Sequence, residues 1–274
     1  MRILRFIVSA LAVVVSAVFL IFFIGETIKT DRTIPVINIE SDVLEVELNA
    51  KEEDMLKGVT ANDKKDGDLT SSVFVESISR FTKKGECKVT YVVCDSDNHI
   101  TKATRKIRFK GYTSPTFTVN KSLCFSAYET IDLAEAITAT DCIEGNITSR
   151  VLITSDNLTN LTEGIYNFSV TVANKYGDTS TMRLPVIIDE DMSLIGPKIE
   201  LTQYLITAKT GTQIDPEIYF VSATDINEND VSDSLRIDSN INSDREGTYY
   251  IHYYATDAQG NMGHSVIPVI IGNG

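Results

Sequence analysis

The sequence predicts an all-β protein that contains three copies of one β-sandwich after a single membrane-spanning helix. Three observations support this. A long apolar run stands near the N-terminus, one pattern of turns and alternating strands then occurs three times, and no strong helical periodicity appears within the copies. Short strands separated by turns roughly every 8–12 residues are typical of β-sandwiches.

The first element is an apolar run from Phe6 to Ile24, with Arg2 and Arg5 before it and Glu26 after it. As a helix it would span roughly 28 Å, close to the hydrocarbon thickness of a bilayer, about 30 Å. Positive residues before the run favour an N-terminus inside and the remaining chain outside. The sequence therefore predicts a single-pass signal anchor over 6–24 in the plasma membrane, with residues 1–5 cytoplasmic and the bulk of the chain extracellular.

The alternative for this run is a cleaved signal peptide. The small residues Val15, Ser16 and Ala17 would suit a cleavage site, but they lie in the middle of the apolar run instead of after it. Signal peptides normally place the site after an apolar stretch of about 7–15 residues. The uncleaved anchor is the interpretation that this position favours.

A polar stalk over residues 25–34 leads to three predicted domains, 35–111, 112–194 and 195–274. Near the start of each stands a proline, Pro35, Pro115 or Pro197, followed by alternating apolar residues. Proline is tolerated at the first residue of an edge strand. We call these segments the first, second and third repeat.

An acidic turn and a long strand recur at matching places in each repeat. The turns begin at Asp63, Asp141 and Asp225, at steps of 78 and 84 residues. A later strand has one apolar face, and a second alternating strand follows it after a short turn, which predicts an antiparallel hairpin. The residues predicted to point inward are Cys87, Val89, Tyr91 and Val93; Tyr166, Phe168, Val170 and Val172; and Tyr249, Ile251, Tyr253 and Ala255.

This order of an acidic turn, a Gly-x-Tyr strand and an Asp- or Asn-containing turn resembles the bacterial immunoglobulin-like repeats of surface proteins, which are also found at the ends of pesticidal crystal proteins. The resemblance covers residues 35–272 and implies three tandem immunoglobulin-like sandwiches. It also implies that Tyr166 and Tyr249 form tyrosine corners, in which the hydroxyl bonds to upstream backbone. The first repeat has Cys87 at that place, and the third has Asn229 where the others have the turn glycine.

The acidic turn of the first repeat is a candidate calcium site. In an immunoglobulin-like sandwich the following hairpin turn lies at the same end, and Ca²⁺ takes six to eight oxygen ligands. The alternative is that these carboxylates shape the turns through hydrogen bonds to backbone, which the dilution of the set in the second repeat favours. The candidate ligands are Asp63, Asp66, Asp68, Asp95 and Asp97.

Four cysteines in a chain predicted to be exported suggest disulfides. Cys87 and Cys94 lie on one extended strand, roughly 23 Å apart, and cannot pair with each other. Cys124 and Cys142 share the second repeat and are the candidate bridge, whereas free buried thiols are the ordinary interpretation.

The outward residues of the last hairpin differ between repeats, and the third repeat shows an aromatic, apolar set. Exposed aromatic patches often mark contact sites, so Tyr250, His252, Tyr254 and His264 are the predicted binding residues. Ordinary β-propensity or cover by a neighbouring strand would explain the same residues. The outward sets are Lys88, Thr90, Lys102, Thr104, Lys106 and Arg108; Asn167, Ser169, Thr171, Thr181 and Arg183; and Tyr250, His252, Tyr254, His264, Val266 and Ile270.

Several functions are disfavoured. A net charge of -13 argues against nucleic acid as a partner, and the three histidines have no nucleophile at a recognisable spacing, so no enzyme and no cofactor is predicted beyond the calcium candidate. The sequence predicts a membrane-anchored bacterial surface protein for adhesion or recognition of a glycan or protein. The alternative is a structural spacer or a noncatalytic subunit of an envelope assembly.

Overall fold

The computed structural model describes residues 2–29, 33–155 and 162–272, so residues 30–32 of the predicted stalk lie outside the described part. Helix α1 (Arg2–Lys29) contains the apolar segment Phe6–Ile24, which is 19 residues long and not buried against the rest of the protein. It is long and apolar enough to cross a membrane, and a signal sequence near an N-terminus has the same properties.

The chain divides into two compact units, Met1–Gly111 and Tyr112–Gly274. The first unit carries the first repeat as two sheets, with strand orders β1-β3-β4 and β2-β7-β6-β5, and β2 is parallel to β7. Its elements are β1 (Val36–Ile39), β2 (Val43–Val46), the helical turn α2 (Glu52–Met55), β3 (Val59–Asp63), β4 (Gly67–Asp68), a 3-10 turn (Thr70–Ser72), β5 (Phe74–Ile78), β6 (Glu86–Cys94) and β7 (Ile100–Phe109).

The second unit begins with the second repeat, which has the same plan: sheets β11-β10-β8 and β12-β13-β14-β9, with β9 parallel to β14. Its elements are β8 (Thr116–Val119), β9 (Cys124–Ser126), β10 (Ile137–Asp141), β11 (Gly145–Asn146), a 3-10 turn (Thr148–Arg150), β12 (Leu152–Ser155), β13 (Gly164–Ala173) and β14 (Thr179–Asp189).

The third repeat completes this unit with sheets β15-β17 and β16-β20-β19-β18, and β16 is parallel to β20. A short third strand of the smaller sheet is reduced here to the single bridge between Thr224 and Asp230. The elements are β15 (Lys198–Leu201), β16 (Ile206–Ala208), a 3-10 turn (Pro216–Tyr219), β17 (Phe220–Thr224), a 3-10 turn (Ser232–Ser234), β18 (Arg236–Ser239), β19 (Gly247–Thr256) and β20 (Met262–Ile271).

The all-β fold predicted from the sequence is confirmed, and the alternation of the long strands explains the sandwiches. The inward residues of β6, β13 and β19 are buried, apart from Tyr166 and Tyr249 at the strand ends, which are half-buried. In the second unit each repeat has its own apolar core, one around Phe168 and Leu184 and one around Ile251 and Ile267. Burial of one face per sheet is what joins the two sheets of each repeat.

Both predicted tyrosine corners are present. The Tyr166 hydroxyl donates to the carbonyl of Thr162, and the Tyr249 hydroxyl donates to the carbonyl of Arg245, each at 3.0 Å. The first repeat has no such corner because Cys87 occupies the position, where the thiol is fully buried and burial raises its pKa to about 11. The corners therefore follow the sequence differences between the repeats.

Candidate functional site

The acidic turns use their carboxylates to hold backbone N–H groups. One oxygen of Asp63 accepts from the N–H groups of Lys65 and Asp66, at 2.7 and 3.1 Å. One oxygen of Asp141 and one of Asp225 each accept two N–H groups in the same way. These are Asx turns, the role that the sequence analysis gave as the alternative to calcium binding.

The five calcium candidates do not converge on one point. The Asp66 carboxylate accepts from Ser96, that of Asp68 accepts from the Thr70 N–H, and that of Asp97 pairs with Lys65. The Asp95 carboxylate accepts the His99 N–H at 2.7 Å and contacts the His99 ring at 2.8 Å. Within the described residues, the one grouping with metal-ligand geometry lies elsewhere, so the calcium prediction for Asp63, Asp66, Asp68, Asp95 and Asp97 is corrected in favour of turn chemistry.

The turn of the third repeat differs in one detail from the turns of the first two. The left-handed residue is Glu228, at φ 64°, and not Asn229, which aligns with Gly67 and Gly145. Asn229 instead binds Asp225 through its backbone N–H and its side-chain amide. This shift of the turn moves the positive φ by one residue.

The predicted disulfide between Cys124 and Cys142 is not formed, and all four cysteines are free thiols. Cys124 lies beside Ile187, near the end of β14. Cys142 follows Asp141, and the Asp141 carboxylate accepts a hydrogen bond from Asn174, just before the start of β14. The two cysteines therefore lie near opposite ends of that strand. At about 3.3 Å per residue, these two ends of the strand lie roughly 30 Å apart. The Cys142 thiol donates instead to the carbonyl of Thr113, at 3.1 Å.

The predicted binding face of the third repeat is largely covered by the second repeat. Val266 is fully buried and packs with Cys124 and Ile187 of the second repeat. The Val266 N–H donates to the Ser122 hydroxyl at 3.3 Å, and His264 is only 6% exposed. The prediction of an open face over Tyr250, His252, Tyr254 and His264 is thus wrong for His264, because the strands β9 and β14 lie against it.

The other three predicted residues are half-buried and form a ladder of rings with His264. The Tyr254 ring stacks on His264, with centroids 4.2 Å apart. The guanidinium of Arg236, on β18, lies 4.4 Å from the Tyr254 ring centroid. His252 Nδ1 lies 3.0 Å from His264 Nε2. Tyr250 packs at the end of the ladder, against the small apolar cluster of Val266.

One ring nitrogen of His264 faces two groups of the second repeat. Nδ1 lies 2.5 Å from Asp189 Oδ2 and 3.3 Å from Cys124 Sγ. Burial lowers the pKa of His264, and the Asp189 carboxylate acts in the opposite direction. Burial also lowers the pKa of His252 and raises the pKa of the Cys124 thiol.

A cleft of about 340 Å³ opens beside this cluster, between the two repeats. Its size lies in the range of small-ligand sites, roughly 300–1,000 Å³. The polar residues that line it include exposed carboxylates as well as the ring ladder, namely Glu163, Asp189, Asp191, Arg236, His252, Tyr254 and His264.

Sequence reasoning identified three members of this lining and missed the contribution of the second repeat. Asp189 and Cys124 are far from His264 in sequence, and neither has a motif that would connect them. The one sequence signal for this contact was the ring-rich outer face of the third repeat, because a large apolar surface patch often marks an interaction site. The short linker keeps the second repeat close enough to cover it.

Residues 204–270, in the third repeat, match the family model described as bacterial surface protein, Ig-like domain. The pesticidal crystal protein Cry22Aa of Bacillus thuringiensis is 22% identical over 134 residues, which is 48% of this chain and 18% of that protein. An uncharacterized 81.3 kDa protein of Acholeplasma phage L2 is 26% identical over 148 residues, 52% of this chain and 20% of that protein. The chain thus spans about a fifth of the curated relatives it matches.

Among solved structures, the ZmpB M60 catalytic domain with its CBM51 domains, from Clostridium perfringens, aligns with 88% of this chain and 31% of that chain, at 15% identity and a TM-score of 0.23. Drosophila N-cadherin EC1-4 aligns with 89% of this chain and 76% of that chain, at 11% identity and a TM-score of 0.24. At such scores these structures say nothing about function. The resemblance predicted from the acidic turns and the Gly-x-Tyr strand is confirmed by the family match: the third repeat is similar to the immunoglobulin-like domain of bacterial surface proteins.

Proposed function

We propose that this chain is a membrane-anchored bacterial surface protein whose immunoglobulin-like repeats serve the adhesion or recognition of an extracellular glycan or protein. The match of residues 204–270 to a surface-protein domain supports the location, and the apolar helix supports the anchor. The proposed topology is a single pass over 6–24 in the plasma membrane with the repeats outside.

The main support for the recognition role is that the Tyr254 ring is held in one orientation at the cleft. Its ring is stacked on His264 on one side and contacted by the Arg236 guanidinium, while exposed carboxylates stand nearby in the lining. A ring that is already fixed loses little conformational entropy on binding, and fixed aromatic groups with polar neighbours suit sugars and peptides.

Capture of partners from envelope extract by the full-length chain in lipid nanodiscs tests this role, with a glycan array as a second readout. We expect Tyr254→Ser to weaken the main interaction at least about tenfold, which is about 1.4 kcal/mol of binding free energy. Tyr128→Ser is the control, because Tyr128 is 74% exposed in the second repeat and does not line the cleft. Equal capture by wild type and Tyr254→Ser would contradict the proposal.

A structural spacer, or a noncatalytic subunit of an envelope assembly, is the second candidate. The observation that favours it is the burial of Val266 and His264, which turns much of the predicted binding face into a contact within the protein. Under this function the cleft variants retain every envelope partner, and loss of partners follows only from disrupting the contact between the second and third repeats.

The anchor has its own test. Cell fractionation with an antibody against the third repeat should find the full-length chain in the membrane, and protease added to intact cells should remove the repeats. A shortened chain in the medium that begins after the apolar run would show a cleaved signal peptide instead.

A further inference from the structure

A buried cluster of potential ligands lies where the second repeat contacts the third. It consists of Cys124 on β9, Asp189 at the end of β14 and His264 on β20. One ligand atom from each, Sγ, a carboxylate oxygen and a ring nitrogen, lies within 4.8 Å of the other two. The three side chains are drawn from two repeats, so the cluster exists only when the repeats are in contact.

The arrangement does not suit nucleophilic catalysis. In a Cys-His-Asp triad the thiol and the carboxylate use opposite nitrogens of the ring, whereas here both face Nδ1 of His264. One proton on that nitrogen cannot serve both neighbours fully. Burial and the Asp189 charge also raise the pKa of the Cys124 thiol, which keeps it in the unreactive protonated form when no cation is near.

The same arrangement suits a metal ion. Thiolate, imidazole and carboxylate are the ligands of zinc, and bond lengths of about 2.0–2.3 Å in a tetrahedron place ligand atoms roughly 3.5 Å apart. Cys124 Sγ and His264 Nδ1 are already 3.3 Å apart. The carboxylate of Asp189 must move by roughly 1 Å to reach the same spacing, and its side chain is 14% exposed on the cleft side.

The second nitrogen of His264 has the partner that a metal ligand requires. With the metal on Nδ1, the proton lies on Nε2, which is 3.0 Å from His252 Nδ1 and can donate to it. Ligating histidines almost always donate their other N–H to a fixed acceptor, which sets the tautomer and the ring orientation. His252 would orient the ligand without binding the ion.

We propose that Cys124, Asp189 and His264 bind one divalent ion of the zinc class at the contact between the second and third repeats. Calcium is the wrong class, because the cluster offers a single carboxylate and calcium takes six to eight oxygens. Three protein ligands leave a fourth position for water or a ligand group, and two of the three, Asp189 and His264, line the cleft. The bound ion links the two repeats and stabilises their contact.

Titration of the reduced full-length chain in detergent with Co²⁺, as a coloured substitute for zinc, tests the site. We expect one equivalent to give a thiolate-to-cobalt charge-transfer band that excess Zn²⁺ abolishes. Cys124→Ser should lose the band, whereas Cys142→Ser, which removes the other thiol of this unit, should keep it. No band in the wild type, or the same band in Cys124→Ser, would overturn the proposal.

A second measurement tests the site even if Cys124→Ser does not fold. Stoichiometric Zn²⁺ should raise the melting temperature of the wild type and of Cys142→Ser, and His264→Gln and Asp189→Asn should bind Zn²⁺ at least about tenfold more weakly. Unchanged zinc affinity in both of these variants would exclude the site. Competition with a chelator of known affinity measures that ratio directly.

Discussion

The last hairpin of the first repeat and that of the third repeat have the same register but opposite surroundings. Thr104 pairs with Thr90 in β6–β7, and Val266 pairs with His252 at the matching place in β19–β20. Thr104 is exposed, whereas Val266 is fully buried against the second repeat. This fold therefore specifies only the inward face of each hairpin, and the outward face can be either a solvated surface or a contact with another repeat.

A charge at the buried position Val266 should destabilise the protein more than any other substitution considered below. Val266→Asp should cost about 3–4 kcal/mol of unfolding free energy, because it buries an unpaired carboxylate among Cys124 and Ile187. Thr104→Asp, at the matching exposed position, should stay within about 0.5 kcal/mol of the wild type. Urea unfolding followed by circular dichroism measures both, and similar losses in the two variants would show that the positions do not differ in burial.

The repeats also differ at Gly263, because the matching residues of the other two repeats have a hydroxyl side chain. At the matching positions, the hydroxyls of Thr101 and Ser180 donate to the carbonyls of Pro35 and Pro115, each at 2.6 Å. In the third repeat a Cβ on Gly263 would lie 1.9 Å from the carbonyl oxygen of Pro197.

Gly263→Ala must therefore displace backbone and should cost about 2–3 kcal/mol of stability. Gly272→Ala is the control, because a Cβ there meets nothing within 4 Å among the described residues, and it should be near neutral in a thermal melt. If Gly263→Ala is as stable as the wild type, β15 and β20 can move apart to admit the methyl group without loss of unfolding free energy.

Removing a tyrosine corner should lower the free energy of unfolding by a smaller amount. Tyr249→Phe removes the hydrogen bond to the Arg245 carbonyl and should cost about 1 kcal/mol. Tyr166→Phe should cost a similar amount in the second repeat, because its bond has the same length. Chemical denaturation of each variant gives the values, and no loss in either would mean that water replaces the bond.

The last hairpin turns of the second and third repeats should differ slightly in how their stability depends on pH. The Asn261 side-chain amide, and after it the backbone N–H groups of Asn261 and Gln259, donate to the Asp257 carboxylate and hold its pKa below the ordinary value. A lowered folded-state pKa gives stability that is present above the unfolded pKa and is lost as the pH falls through the folded pKa. The second repeat has Asn174 at this position, which does not titrate.

Asp257→Asn should therefore reduce the fall in melting temperature between neutral pH and the acid range below the ordinary aspartate pKa of about 3.9. The effect should be small, because Asp95 and Asp225 also have lowered pKa values and remain in place. An identical fall in wild type and variant would show that this carboxylate adds nothing to acid sensitivity.

The sequence was sufficient to predict the strands, the corners and the turns, because these depend on local alternation and on side chains that bond within a few residues. The inward set from Cys87 to Val93 is buried as expected. The candidate calcium site, the candidate disulfide and the open face of His264 are wrong for a common reason. Each depends on which side chains meet that are distant in the sequence, within one repeat for the first two and between repeats for His264. Local alternation carries no information on such contacts.

The parallel pairing of β2 with β7, β9 with β14 and β16 with β20 has a mechanical consequence for each repeat. In every pair an early strand is hydrogen-bonded to the final strand, and both run in the same direction. A pull between the two ends of a repeat then loads these bonds in shear, along the strands, so that they must break together and not one after another. A repeat that is pulled from its two ends gains resistance to extension from this geometry.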